Sequence, residues 1–458
     1  NAHVAAGRLP DEVYESTLSP LRLCLRKVLV GCVEWESEVL GGWQLRHPWL
    51  DKYFLATSML GTHTFFMVFL PVFFYFGDDS TGRGLAYVAA FGVYSTSFLK
   101  DLVCSPRPYA PPVTRLTIGS HHLEYGFPSS HTANCTSMAL FLMARLYPLW
   151  TSGTLSTLGY ALTGVLLLLY VFTIIGGRLY LGMHGFVDCT AGFIVGIAMW
   201  LVQWAYMPPL EQWLTTAGWI APLTVTAICL LMVNQHPQPV DDCPCFEDAI
   251  AFMSVVLGVL LSLWTAKKVP VLDASNFGTL QPGSSFDSPT AVATFVAFSL
   301  LKVVTGILVI LGWRLAAKPT AQTILPPLFR FLARAVPFQL PNRRHYTPAT
   351  EYANHPPHNL QPIPSMIDLS LSVTTEGGEA GIASALGGRR GAGEVKRRGA
   401  VLPVPEKQVE FKLSHEDQRE AIKHYDADVL TKVVVYAGIA IIASLLSPAA
   451  FEALGWGV

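Results

Sequence analysis

The sequence predicts an all-α fold: a polytopic membrane bundle of about nine transmembrane helices, each needing about 20 mostly apolar residues. Two observations carry this expectation. The 458 residues are 51% hydrophobic and only 14% charged, whereas a soluble domain is about 25% charged. Apolar runs of membrane-crossing length also recur along the chain, with polar residues gathered at their ends. A net charge of −1 gives no ground for a nucleic-acid partner.

The elements follow in order. Within an N-terminal segment, residues 1–51, the stretch 20–35 (PLRLCLRKVLVGCVEW) places Leu21, Leu25, Val28 and Cys32 on one helical face. Arg22, Arg26 and Lys27 lie elsewhere on it, the pattern of an amphipathic helix in the membrane interface, with a first, degenerate span as the alternative. Five spans then form a core over residues 52–210: Tyr53–Gly77, Gly84–Cys104, Thr132–Trp150, Thr157–Gly177 and Phe186–Met207. Three more occupy residues 211–313: Trp213–Asn234, Ala249–Ala266 and Ala291–Trp313. A polar, partly disordered loop is expected over 314–428, most strongly over 361–398, where Gly, Ser and Ala mix with basic clusters. A last span, Val429–Ala450, lies within 429–458. Arg145 and Lys302 interrupt their spans. Arg145 is near an end and can snorkel; Lys302 lies deeper, without an evident partner.

Three short polar stretches carry the chemistry: residues 100–108 (KDLVCSPRP), 128–131 (PSSH) and 178–188 (RLYLGMHGFVD). Spans alternate direction, so all three emerge on one membrane face. Cations, histidines and a carboxylate are expensive beside apolar spans, which marks them as functional candidates. Lys100, Arg107 and Arg178 are suited to neutralise a phosphate, arginine by a two-pronged contact. Ser129, Ser130 and His131 stand where a helix begins, and free amides at a helix N-terminus bind anions. His184 and Asp188 are spaced one turn apart. A carboxylate on one ring nitrogen leaves the other oriented for attack. This pattern assigns His184 as nucleophile, His131 as general acid and base, and Asp188 as the group that orients His184. Cysteines such as Cys135, Cys189 and Cys229 lie in apolar runs as small hydrophobes. Cys243-Pro-Cys245 lacks a second pair at zinc-site spacing, so no metal or cofactor is expected.

These motifs resemble the type 2 phosphatidic acid phosphatase superfamily, whose signature is KxxxxxxRP, PSGH and SRxxxxxHxxxD. Lys100, Arg107 and Pro108 match the first block, Pro128, Ser129 and His131 the second, and Arg178, His184 and Asp188 the third. Ser130 replaces the glycine of PSGH, and Gly177 replaces the serine before the arginine. Ser130 in the second block and the run GRLYLGMHGFVD resemble the sphingosine-1-phosphate (long-chain-base phosphate) phosphatases. The stretches 243–248 and 424–428 look like their fungal members. The resemblance implies a metal-independent phosphatase of the endoplasmic reticulum membrane, with its active site toward the lumen and phosphorylated sphingoid bases as substrates. A phosphotransferase with the same phosphohistidine chemistry, action on another lipid phosphate such as phosphatidic acid or an isoprenoid diphosphate, and an anion channel are the competing expectations. Arg22, Arg26, Lys27 and the basic loop share the motif-bearing face, which by charge alone would be cytosolic.

Overall fold

The computed structural model describes residues 5–118, 123–274, 279–335, 343–348, 373–376 and 424–457. Helices dominate them. In chain order they are α1 (Asp11–Thr17), α2 (Pro20–Trp43), α3 (Pro48–Ser58), α4 (His63–Tyr75), α5 (Asp79–Val103) and α6 (Ser130–Thr151). There follow α7 (Thr157–Tyr180), α8 (Phe186–Thr216), α9 (Ile220–Asn234), α10 (Cys245–Lys268), α11 (Pro289–Ala335), α12 (Asp426–Ile441) and α13 (Ser447–Ala453).

The all-α class expected from composition stands, and the protein is a membrane protein with several helices fit to cross a bilayer. Among the described residues five helical stretches are long and apolar enough to do so, or six if the bent pair α3–α4 is one span. The expected first span is thus broken: a 3-10 turn at Met59–Gly61 separates α3 from α4, and the two differ in direction by 52°. The expected sixth span is shortened. α8 runs on through Trp213 to Thr216, and α9 starts only at Ile220, leaving 15 residues. α11 continues past Trp313 to Ala335, so residues 314–335 are helix where a loop was expected. Apolar residues such as Ile324, Leu328 and Phe331 sustain the run. Most of the anticipated disordered stretch 361–398 lies outside the described residues. Its described part, Val373–Glu376 (β3), is not loop: it pairs antiparallel with Arg115–Ile118 (β1). A short parallel pair joins Tyr346–Thr347 (β2) to His424–Tyr425 (β4).

The core lies around α10, which packs against α5, α9 and α12. Ile250, Phe252, Val256, Leu260 and Trp264 are buried there with Leu85, Val88 and Val93 of α5. α7, by contrast, turns Leu158, Leu162, Leu166 and Leu169 outward, the surface a lipid-facing helix presents. α6 and α8 approach closely because Gly192 and Gly196 face the α6 backbone. An added Cβ would lie 2.5 Å from the Ser129 carbonyl and 2.6 Å from that of Ala133. That approach sets the starts of the two helices side by side.

The charges that interrupt spans have structural partners. Arg145 reaches the start of α5, with Nε 3.3 Å from Thr81 Oγ1 and Nη2 3.8 Å from Asp78 Oδ1. Lys302 is fully buried. Its ammonium donates to the Gly457 carbonyl at 2.7 Å and the Tyr75 carbonyl at 3.4 Å, at the chain end and the last residue of α4. α2 shows the expected split of faces: Leu21 and Val28 point outward at 73% and 62% exposure, while Arg26 is buried. Arg22 donates from Nε to Leu102 O at 2.6 Å and from Nη2 to Asp101 O at 2.8 Å. Arg26 bonds the Cys104 carbonyl and lies over the Tyr14 ring. Both guanidiniums therefore cap the C-terminus of α5, whose last carbonyls have no partner within the helix.

Candidate active site

Four helix ends meet at the motifs. α5 stops one turn after Lys100, where Cys104 adopts the left-handed conformation (φ 57°) and returns its N–H to the Lys100 carbonyl. α6 opens at Ser130, with Ser129 as its cap accepting the Thr132 N–H at 3.3 Å. α7 carries Arg178 in its last turn. α8 opens at Phe186, and Asp188 reaches back to accept the Gly185 N–H at 3.0 Å, as an acidic residue at the third helical position commonly does. The Ser129 N–H donates to the Asp188 carbonyl at 3.0 Å, which ties the α6 and α8 starts together.

Between these ends the charged groups interlock. Arg107 donates from Nη1 to the Met183 carbonyl at 2.7 Å and lies 3.2 Å from His184 Nε2. Its Nε donates to the Glu124 carbonyl at 3.0 Å. Lys100 Nζ meets Glu124 Oε2 at 2.5 Å, and Arg107 Nη2 lies 3.5 Å from the same oxygen. Arg178 donates to the Ser58 hydroxyl at the end of α3. Lys100, Arg107, Arg178, His184, Asp188 and Glu124 are all buried.

The imidazole of His184 is oriented differently from expectation. Its Nδ1 lies 2.9 Å from the Gly126 carbonyl. A carbonyl only accepts, so Nδ1 carries the proton and Nε2 the lone pair. Asp188 Oδ2 is 3.6 Å from Nδ1, beyond hydrogen-bond reach, because that oxygen is held by the Gly185 amide. His184 also precedes α8 rather than sharing its face with Asp188. The tautomer anticipated from the motif is present, but a backbone oxygen fixes it. Burial pushes the His184 pKa well below the usual histidine range, reinforced by the charges of Arg107, Lys100 and Arg178. The ring is therefore neutral, as a nucleophile requires. Burial also lowers the Arg107 pKa, opposed by the nearby carboxylates of Glu124 and Asp188.

The second motif meets this cluster through the Ser129 amide. The Ser130 hydroxyl lies 3.1 Å from Thr96 Oγ1 on α5. The His131 ring packs on Gly61, where an added Cβ would meet its Cδ2 at 2.4 Å. Ser129 uses its side chain as cap and its own amide on Asp188. Both groups of Ser129 are thus engaged within the protein, where an anion cradle was anticipated from Ser129, Ser130 and His131.

Four participants were missed by sequence reasoning. Glu124 sits between Lys100 and Arg107. Gly126 supplies the carbonyl for His184, and Ser58 receives Arg178. Glu36 of α2 accepts the Val187 N–H at 2.7 Å and crowds Gly185, where an added Cβ would lie 1.7 Å from Oε2. Burial raises the Glu36 pKa, with the amides of Val187 and Phe186 acting against it. The one signal within reach was position: Glu124 and Gly126 stand just ahead of PSSH. A different set of donors, Asp101, Cys243 and Cys245, brings its ligand atoms within 4.8 Å of one another. The two cysteines of that set are joined as a disulfide.

A bundle of membrane helices with buried cations and a neutral histidine at its helix ends defines a class. Residues 81–211 match the PAP2 superfamily; Lys100, Arg107, His131, Arg178, His184 and Asp188 all fall inside that stretch. Among particular relatives, a dihydrosphingosine 1-phosphate phosphatase of Schizosaccharomyces pombe is 29% identical over 96% of this chain and 92% of its own length. A dihydrosphingosine 1-phosphate phosphatase of Saccharomyces cerevisiae is 35% identical over 57% of this chain and 65% of its own length. Lipid phosphate phosphatase delta of Arabidopsis thaliana is 29% identical over 60% of this chain and 64% of its own. No solved structure matches the chain.

Proposed function

We propose that this protein is an integral-membrane phosphoric monoester hydrolase that dephosphorylates phosphorylated long-chain bases through a phosphohistidine intermediate. The observation that carries the reading is Arg107, whose guanidinium touches both His184 Nε2 and the Glu124 carboxylate that also holds Lys100. An anion drawn to those cations arrives at the lone pair of a neutral imidazole. Phosphoryl transfer is mostly positioning and charge neutralisation, and this cluster provides both.

The steps follow from the atoms. The phosphate oxygens take Lys100, Arg107, Arg178 and the amides of Ser130 and His131. The Nε2 lone pair of His184 attacks phosphorus, and the bond from phosphorus to the ester oxygen breaks. His131 gives its proton to the departing alkoxide. The ring of His184 becomes cationic, with its Nδ1 proton on the Gly126 carbonyl and the Asp188 carboxylate 3.6 Å away to stabilise the charge. His131 then takes a proton from water, the hydroxide attacks phosphorus, the P–N bond breaks and inorganic phosphate leaves. No metal is needed in this sequence.

About nine crossings, placement in the endoplasmic reticulum membrane and a lumenal site complete the proposal. The relatives named for dihydrosphingosine 1-phosphate support the substrate class. The channel reading loses its main support, since Lys302 is committed to backbone carbonyls. The test is phosphate release by purified protein from phosphorylated sphingoid bases, phosphatidic acid and isoprenoid diphosphates, with EDTA and with vanadate. Release fastest from the sphingoid-base phosphates, insensitive to EDTA and blocked by vanadate, is expected. Loss on chelation restored by magnesium, or no release from any sphingoid-base phosphate, refutes the proposal.

A further inference from the structure

Glu124 is an odd resident of a phosphate site. Its carboxylate is buried, and Oε2 lies 2.5 Å from Lys100 Nζ and 3.5 Å from Arg107 Nη2. These are cations that the phosphate must engage. A carboxylate there repels the incoming dianion and competes for its partners, so a plain phosphate pocket would be better without it. The arrangement becomes favourable if the substrate brings a cation of its own.

We propose that Glu124 is the specificity residue that selects phosphate esters bearing an ammonium close to the ester carbon. The inference rests on the phosphatase reading above and adds a recognition element to the same site. Binding is an exchange of ion pairs. The phosphate takes Lys100 and Arg107 from Glu124, and the substrate ammonium takes the carboxylate in their place. Every buried charge keeps a counter-charge, which matters because removing one member of a buried pair costs far more than exchanging it. A phosphate ester without the amine displaces Glu124 and leaves that carboxylate buried with reduced compensation. The geometry suits a short spacing between the two substrate charges, since one guanidinium, that of Arg107, spans from Glu124 Oε2 to His184 Nε2. In a long-chain base the amine is on the carbon next to the ester carbon, so its ammonium lies beside the phosphate. Bulky diacylglycerol phosphates have no such group.

The experiment compares a long-chain-base 1-phosphate with its N-acetyl derivative, which has the same phosphate and tail but no positive charge. kcat/KM is measured for both with the wild-type protein, with Glu124→Gln and with Glu124→Asp. The wild type is expected to prefer the free amine by at least about tenfold, an exchange of one close charge pair. Glu124→Gln should erase that preference, chiefly through KM on the amine. Melting temperature, read beside the rates, shows whether the variant is folded. Glu124→Asp, which keeps the charge on a shorter arm, should retain part of the preference. Equal wild-type rates on both esters would overturn the inference and leave the phosphatase reading standing. So would equal losses on both esters in Glu124→Gln and Glu124→Asp, which would make Glu124 a positioning residue for Lys100. No phosphate release from either ester by the wild type would take down the phosphatase reading itself, and the inference with it.

Discussion

Lys100 and Lys302 are both buried lysines on helices of this bundle, yet they do opposite things. Lys302 donates to two main-chain carbonyls, Gly457 O and Tyr75 O, with the Phe76 ring 5.2 Å away. Those oxygens belong to the backbone, so no ligand can take their place without disturbing the ends of two segments. Lys100 meets a side-chain carboxylate, Glu124, beside a second cation and a neutral imidazole. A side-chain partner can swing away, and an incoming anion can replace it. A buried cation is therefore not by itself a sign of a site. Its partner decides: backbone oxygens make it a structural clamp, whereas an exchangeable carboxylate leaves it able to receive an anion, the role proposed for Lys100.

The largest expected loss is at His184, the proposed nucleophile. His184→Ala should reduce phosphate release by at least about 10⁴-fold, the scale of losing a member of a nucleophilic constellation. Membrane extraction and melting temperature should stay near those of the wild type. Retained turnover in that variant would remove His184 as nucleophile. Next comes the lysine pair itself. Lys100→Met should reduce kcat/KM by about 100-fold, for the loss of one charge aimed at the transition state. Lys302→Met should instead destabilise the fold by about 1–3 kcal/mol, the cost of stranding buried carbonyls, and leave turnover per folded molecule unchanged. Thermal melts read beside initial rates decide this, and a reversed pattern would sink the distinction. Asp188→Asn should cost only about tenfold, less than the roughly 10⁴-fold that follows when a carboxylate alone holds the tautomer, because Gly126 holds the His184 proton.

The acid side of the pH profile gives a smaller effect with a definite sign. The folded protein keeps His184 neutral well below the pH at which an ordinary histidine protonates. The nucleophile's own contribution to kcat/KM should therefore persist below about pH 6.5. Stability moves the other way. As pH falls below about 6.5, unfolded chains bind a proton at this position that the folded chain refuses, and stability declines. Steady-state rates and denaturant midpoints measured over the same pH range check both signs. The smallest expected change is at Glu36→Ala, which strands the Val187 amide. A loss of about 1–2 kcal/mol is expected, together with a drop in kcat but not in KM.

Much of this was legible in the chain because composition and the gathering of polar residues at the ends of apolar runs are robust signals. Apolar runs made helices where expected over 157–177 and 186–207, and the polar stretches at 100–108, 128–131 and 178–188 did meet at adjoining helix ends. Boundaries failed where a local event interrupts or prolongs a run. The 3-10 turn at Met59–Gly61 splits one helix pair, and α11 passes three prolines, Pro319, Pro326 and Pro327, without ending. Within the site, the cations and histidines could be read because they are costly among apolar residues. Glu124, Gly126, Glu36 and Ser58 could not. Each acts through a contact made only when distant segments fold together, and a carbonyl such as that of Gly126 has no residue-type signature at all. Lys302 was illegible for the same reason, its acceptors being main-chain atoms remote in sequence.

The clamping of α5 by Arg22 and Arg26 also bears on sidedness. Charge counting treats every arginine near a membrane boundary as a vote for the cytosolic leaflet, on the assumption that it faces water and phospholipid head groups. Here one guanidinium is packed on Tyr14 and both hold main-chain oxygens of the protein's own helix. Such groups are recruited by tertiary structure, and their sign carries little information about the compartment beyond. In this stretch only Lys27, paired at the surface with Glu15, still counts as an ordinary topogenic charge, and the apparent tilt of the ballot against a lumenal catalytic face shrinks accordingly.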